Sequence, residues 1–166
     1  YSENEVVIRQ PEIESVAPTT IKAGEALTIK GKDVDLLESI TFAPSVTVTE
    51  IEVVDTKSIK VVVPATATAG AVKGTSFAGV ETVAPGEISL VAPTELKVAA
   101  DRFKAGESVT ISGKDLDLVT SLVFASGVAA EMSYDVDSKT ISTVIPATAV
   151  DGAITLSLAN GVTVDS

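Results

Sequence analysis

Apolar residues recur along this chain mostly at every second position, in short runs cut by proline, glycine and aspartate. Leu27 and Ile29 alternate with Thr28 and Lys30, and Ile59, Val61 and Val63 share one face of a later run. A period of two sends successive side chains to opposite faces, so these runs predict half-buried β-strands. No segment holds a sustained helical period. The first half of the chain predicts one strand that starts at Val6-Val7-Ile8, breaks at Pro11 and resumes at residues 13–16, then strands at 26–30, 39–42, 59–63, 72–77 and 80–83. Residues 46–54 predict a less regular strand, bent in its middle. Pro64 ends the run before it, because proline cannot donate to a sheet ladder.

The same pattern returns 82 residues later without a gap. Lys-Ala-Gly-Glu at 22–25 recurs at 104–107, and Gly31-Lys32-Asp33-Val34-Asp35-Leu36 recurs as Gly113-Lys114-Asp115-Leu116-Asp117-Leu118. Phe42 aligns with Phe124, Pro64-Ala65-Thr66-Ala67 with Pro146-Ala147-Thr148-Ala149, and Gly79 with Gly161. Of 80 aligned positions, 32 are identical. Each unit is far longer than a solenoid repeat, so this is a duplicated domain. The units span 5–84 and 87–166, with Pro85-Gly86 as a linker and residues 1–4 as an N-terminal polar tether. Ile88-Ser89-Leu90 opens the second unit as Val6-Val7-Ile8 opens the first. A two-residue connection cannot act as a free tether, so restricted bending is expected. Seven short strands per unit, with frequent turn signals, predict an all-β fold: two tandem immunoglobulin-like β-sandwiches. Asn160-Gly161 marks a two-residue hairpin in the second.

One strand differs between the copies. Ile154, Leu156 and Leu158 share a face where the first unit has Val72, Gly74 and Ser76, followed by Phe77. Glycine inside a strand suggests a bulge, and a register shift there is expected to turn Phe77 inward.

The ordered motifs resemble a known family. A hydrophobic strand, Lys-Ala-Gly-Glu, Thr-Ile-x-Gly-Lys-Asp, a β-branched-x-Phe strand, Ile-x-Val-x-Val-Pro-Ala and Gly-x-Val look like IPT/TIG domains, which are early-set immunoglobulin-like folds. The version here is similar to modules of surface lipoproteins in Gram-negative gut bacteria, including surface glycan-binding proteins of starch-utilisation-type systems. The resemblance covers nearly the whole chain, twice. It implies a non-enzymatic spacer that holds a binding domain away from the outer membrane, at the cell surface or secreted. It implies a lipid anchor ahead of Tyr1, outside this sequence, as the sole membrane attachment. A polysaccharide or a surface protein is the partner it implies; direct carbohydrate or protein binding by these modules is the alternative.

Composition narrows the chemistry. The 166 residues carry a net charge of −11 with no histidine and no cysteine. Such a chain repels phosphate backbones and anionic membranes, which argues against nucleic-acid partners. Without histidine or cysteine, Ser-His-Asp and Cys-His catalysis and thiolate or imidazole zinc sites are impossible. Carboxylate pairs remain open for glycoside hydrolysis, yet Asp33/Asp35 and Asp115/Asp117 lie in a duplicated turn, and no enzyme is expected. No cofactor is expected either. The same four aspartates, with Asp135 and Asp137, could offer oxygens to calcium. Aspartate is also a standard turn residue, and the turn reading is preferred. Sugar stacking needs exposed aromatics. There is no tryptophan, and Phe42, Phe124 and Phe103 are expected in the cores. Tyr134, which replaces Glu52, is the candidate ligand contact. Lys57 and Lys60 sit where charge could guard a sheet edge. The protein is expected to be a monomer.

Overall fold

A computed structural model describes residues 6–166. The expected tether at 1–4 lies outside the described residues. The chain is all-β and divides into two compact units, the first ending at Leu90 and the second running Val91–Ser166.

The first unit contains β1 (Glu12–Ala17), β2 (Thr20–Ile21), β3 (Ala26–Lys32), β4 (Leu37–Phe42), β5 (Val46–Val48), β6 (Ile51–Asp55), β7 (Ser58–Val62), β8 (Gly70–Ser76) and β9 (Glu81–Leu90). They form a four-stranded sheet, β1-β3-β7-β6, and a five-stranded sheet, β2-β9-β8-β4-β5. Alternation dictates the core. Leu27, Ile29, Ile59 and Val61 leave one sheet on the same side, Ile40, Phe42, Val72 and Ile88 leave the other, and all are buried in one cluster. The irregular 46–54 run is two strands: β5 pairs with β4, and β6 crosses to pair with β7 in the opposite sheet.

The second unit contains β10 (Thr94–Val98), β11 (Ser108–Lys114), β12 (Val119–Val123), β13 (Ala129–Ala130), β14 (Met132–Asp135), β15 (Thr140–Val144), β16 (Thr155–Leu158) and β17 (Thr163–Asp165). Its sheets are β10-β11-β15-β14 and β13-β12-β16-β17. Val109, Ile111, Leu122, Ile141 and Leu156 fill its core. Thr143 replaces the buried Val61 of the first unit, and its hydroxyl donates to the Glu131 carbonyl at 2.6 Å, so the buried oxygen is satisfied.

The division between the units departs from the sequence expectation. Ile88-Ser89-Leu90 does not open the second unit. It is the end of β9 and belongs to the first, with Ile88 opposite Gly70 of β8 and Leu90 opposite Ile21 of β2. Ser89 donates its N–H to the Thr19 carbonyl at 2.7 Å. Pro85-Gly86 is therefore no linker. It lies in a bulge, where the four-residue step from Val83 to Glu87 on β9 faces a two-residue step on β8 and Gly86 takes φ 85°. Proline is tolerated there because a bulge leaves residues without ladder partners. Only Val91, Ala92 and Pro93 separate β9 from β10. The counterpart segment, Val6-Val7-Ile8, forms no strand, and its side chains are 84%, 80% and 76% exposed.

Phe77 also departs from expectation. Gly74 lies in register opposite Ile40 and Thr82; the register shift falls one step on, where Thr75 and Ser76 face Ser39 and Leu37, and it leaves Phe77 73% exposed at the β8–β9 turn. Gly74 is there for room. A Cβ on it would lie 2.8 Å from Leu37 Cδ2 and 3.2 Å from Ile13 Cδ1. The second unit carries Glu95, Val119 and Leu156 at the matching positions; Glu95 is exposed, its neighbour Leu96 packs against the core, and Leu156 is fully buried. Gly74→Leu is expected to destabilise the first unit by about 3 kcal/mol through overpacking. Adding Leu37→Val should recover part of that loss, and a double-mutant cycle by urea denaturation measures the coupling.

Candidate functional site

Asp33 and Asp115 occupy the left-handed region, at φ 51° and 56°, each just before a short 3-10 turn (Val34–Leu36 and Leu116–Leu118). Aspartate tolerates this conformation better than most residues. The turns tuck Val34 and Leu116 under the sheets, where both are buried. The carboxylate of Asp33 accepts a hydrogen bond from the Arg9 guanidinium. One oxygen of the half-buried Asp35 is shielded from solvent. Calcium takes six to eight oxygens, and among the described residues no three acidic or otherwise metal-ligating side chains converge. Adding millimolar calcium is expected to leave both melting transitions where they are, as scanning calorimetry will show.

Asp135 ends β14, and one of its carboxylate oxygens accepts the backbone N–H groups of Asp137 at 2.9 Å and Ser138 at 3.1 Å. The bond from Ser138, then that from Asp137, holds its pKa below the ordinary carboxylate value. A folded-state pKa lowered in this way contributes stability above the unfolded-state value, and the contribution is lost as pH falls through the folded value. Asp135→Asn should therefore flatten the acid limb of the second unit's stability curve, followed by denaturation between pH 2 and pH 5.

Tyr134 stands half-buried on β14 opposite Ile141, packed against the second core. Phe42 and Phe124 are buried, as alternation predicts. Phe103 is only half-buried, although its counterpart Ile21 is fully so. In the first unit Leu90 lies opposite Ile21; among the described residues no strand lies opposite Phe103. Phe77 is the aromatic that sequence reasoning misplaced. Its signal was the following Ala78-Gly79, with Gly79 at φ 77°, which makes Phe77 the start of a turn. Lys57 and Lys60 guard no edge. Lys60 lies on β7 between β3 and β6, opposite Thr28 and Glu52, and Lys57 sits in the turn before it.

Two surface depressions accompany these residues. A shallow one of about 280 Å³ lies across β6 and β7 beside Glu50, Glu52 and Lys60. A larger groove of about 700 Å³ lies in the second unit, with Val98, Phe103, Phe124, Ile145, Ala149 and Ile154 in its wall. Asp101, Arg102 and Asp151 also line it. Its surface mixes apolar side chains with polar and charged ones.

No protein-family model matches the chain, and no curated relative matches it. Among solved structures it is similar to SGBP-B from a complex xyloglucan utilization locus in Bacteroides uniformis, at 18% identity and TM-score 0.41 over 95% of this chain and 48% of that one. It is similar to SGBP-B of the Bacteroides ovatus mixed-linkage glucan utilization locus, solved with a mixed-linkage heptasaccharide, at 20% identity and TM-score 0.44 over 95% and 42%. It is also similar to the surface glycan-binding protein PbSGBP-B from Prevotella bryantii, at 13% identity and TM-score 0.46 over 97% and 42%. The chain spans less than half the length of each of these three proteins. Among the described residues, no helix is long and apolar enough to cross a membrane.

Proposed function

We propose that this chain is a pair of immunoglobulin-like, IPT/TIG-type sandwiches serving as a non-enzymatic spacer in a surface protein that handles glycans. The observation that carries the reading is β9. The strand that completes the first unit's sheet leads into the second unit after only Val91, Ala92 and Pro93. Its far end is pinned by Ile88 in the core and by the Ser89 bond to Thr19. A connection this short limits bending, which is what a module that sets reach requires. Burial of Phe42 and Phe124 and half-burial of Tyr134 agree with a structural role. Nitrogen-15 relaxation tests it. Joint tumbling of the two units supports the spacer, and independent tumbling overturns it.

One observation favours direct binding as a second reading. Phe77 offers an exposed aromatic face at a turn, and such faces stack on sugar rings through dispersion and C–H contacts. A glycan array on this chain decides between the two. Binding abolished by Phe77→Ala supports a sugar contact, and an array without signal leaves the spacer standing.

A further inference from the structure

Each unit contains the same hairpin turn, built from different residues. In the first it joins β8 to β9. Gly79 donates its N–H to the Ser76 carbonyl at 2.8 Å, Ser76 donates to the Val80 carbonyl at 2.9 Å, and Gly79 takes φ 77°. In the second it joins β16 to β17. Gly161 donates to the Leu158 carbonyl at 3.0 Å, Leu158 donates to the Val162 carbonyl at 2.9 Å, and Gly161 takes φ 83°. A tight turn followed by a left-handed glycine is a common hairpin connection.

The copies satisfy the next N–H differently. Val80 donates to the Ser76 hydroxyl at 3.1 Å. The second unit has Leu158 in place of Ser76, with no hydroxyl to offer, and Val162 donates to the Asn160 side-chain oxygen at 3.1 Å. Asparagine thus stands where the first unit has Ala78. It stands directly before Gly161, in the one Asn-Gly pair of the sequence.

Asparagine is a thermolabile residue, and a following glycine exposes it most, because no Cβ shields the attacking backbone nitrogen. The Gly161 nitrogen adds to Cγ of Asn160, the bond from Cγ to the side-chain nitrogen breaks, and ammonia leaves with the proton that the Gly161 nitrogen carried. Water then opens the cyclic imide at either carbonyl. One product is aspartate; the other is isoaspartate, whose backbone runs through the former side chain. Solvent water is the sole co-reactant. The folded turn opposes the first step twice, since the attacking N–H is committed to Leu158 and the carboxamide is held by Val162. Losing both bonds at once lowers the reactive population by about tenfold or more.

We propose that Asn160 is a self-deamidation site that the β16–β17 hairpin holds in check, so that the modification records opening of that hairpin. Water has access, because Ala159 and Gly161 are exposed and Asn160 is half-buried. The two products differ in consequence. Aspartate keeps an oxygen for the Val162 N–H, and its charge strengthens the bond. Isoaspartate inserts a methylene into the backbone between residues 160 and 161. The Gly161 and Leu158 bonds then cannot both form, and β17 loses the register that sets Val164 opposite Leu156. The first unit, with Ala78-Gly79 in its turn, has no such route.

Peptide mapping by mass spectrometry, after incubation in mildly alkaline buffer, tests the proposal. The native chain should convert Asn160 slowly, and the same chain in urea should convert it about tenfold faster or more. Chromatography separates the isoaspartate product from the aspartate one. Asn160→Asp should leave the second unit's melting transition in place, and the refolded isoaspartate chain should show it lowered. An asparagine that survives in urea overturns the proposal. Equal conversion in the folded chain and in urea also overturns it, as does an isoaspartate chain that melts together with Asn160→Asp.

Discussion

Gly31→Ala is expected to destabilise the first unit by about 3 kcal/mol or more, lowering its melting temperature by roughly 15 °C. Gly31 lies on β3 directly opposite Ile13, where β1 crosses close above it. A Cβ built there would fall 1.9 Å from the Glu12 carbonyl oxygen and 2.9 Å from its carbon. These are backbone atoms of a paired strand, so relief requires β1 to move and its ladder with β3 to loosen. The matched variant provides the control. At Gly113 the nearest atoms are the Thr94 carbonyl oxygen at 2.9 Å and the end of the Leu96 side chain at 3.0 Å. Gly113→Ala should cost the second unit nearer 1 kcal/mol, because there the carbonyl oxygen needs to give far less than at Gly31 and the Leu96 side-chain end can turn aside. Both glycines sit in the same Gly-Lys-Asp motif, which alone would predict equal effects. Calorimetry of the two variants, with each transition assigned to its unit, checks the inequality.

The second large effect concerns Ile88. Truncation to alanine removes a fully covered side chain from the first core and should cost that unit about 2–5 kcal/mol. The second unit should be unaffected, although the repeat alignment places residue 88 inside it. Residue-resolved urea denaturation by NMR distinguishes the two. A matching truncation makes the same point: a chain ended at Ala84 should melt well below one ended at Leu90, because the first leaves the seam between β2 and β8 uncovered. If Ile88→Ala weakened the second unit instead, the assignment of β9 would be wrong.

These two cases mark what alternation reveals and what it hides. The inward faces of β3 and β7 follow directly from Leu27/Ile29 and Ile59/Val61, since a half-buried strand must repeat every second residue. The duplication follows from 32 shared positions at one spacing. The boundary does not follow, because Ile88-Ser89-Leu90 shows the same apolar-polar-apolar order whichever sheet it joins. Pro85-Gly86 reads locally as a linker and is a bulge, and only the partner strand tells them apart. Gly74 likewise reads as a local irregularity, and what demands a glycine there is Leu37 and Ile13, 37 and 61 positions earlier. The aspartate turns were legible because a left-handed residue is a local demand. The groove was not, since Val98, Phe103, Ile145 and Ala149 are half-buried although their equals in the first copy, of the same apolar kind, are buried.

The compensation among Ile13, Leu37 and Gly74, against Glu95, Val119 and Leu156, bears on how such a gene can change. Tandem copies invite unequal crossing-over, which splices the front of one onto the back of the other. A splice between the codons for 37 and 74 would put a leucine where Leu37 and Ile13 already fill the space. The reciprocal product would leave a glycine beside the smaller Val119, where the second unit has the fully buried Leu156. Both hybrids would fold poorly, so the paired differences act as a barrier that keeps the two halves from being homogenised back into one sequence.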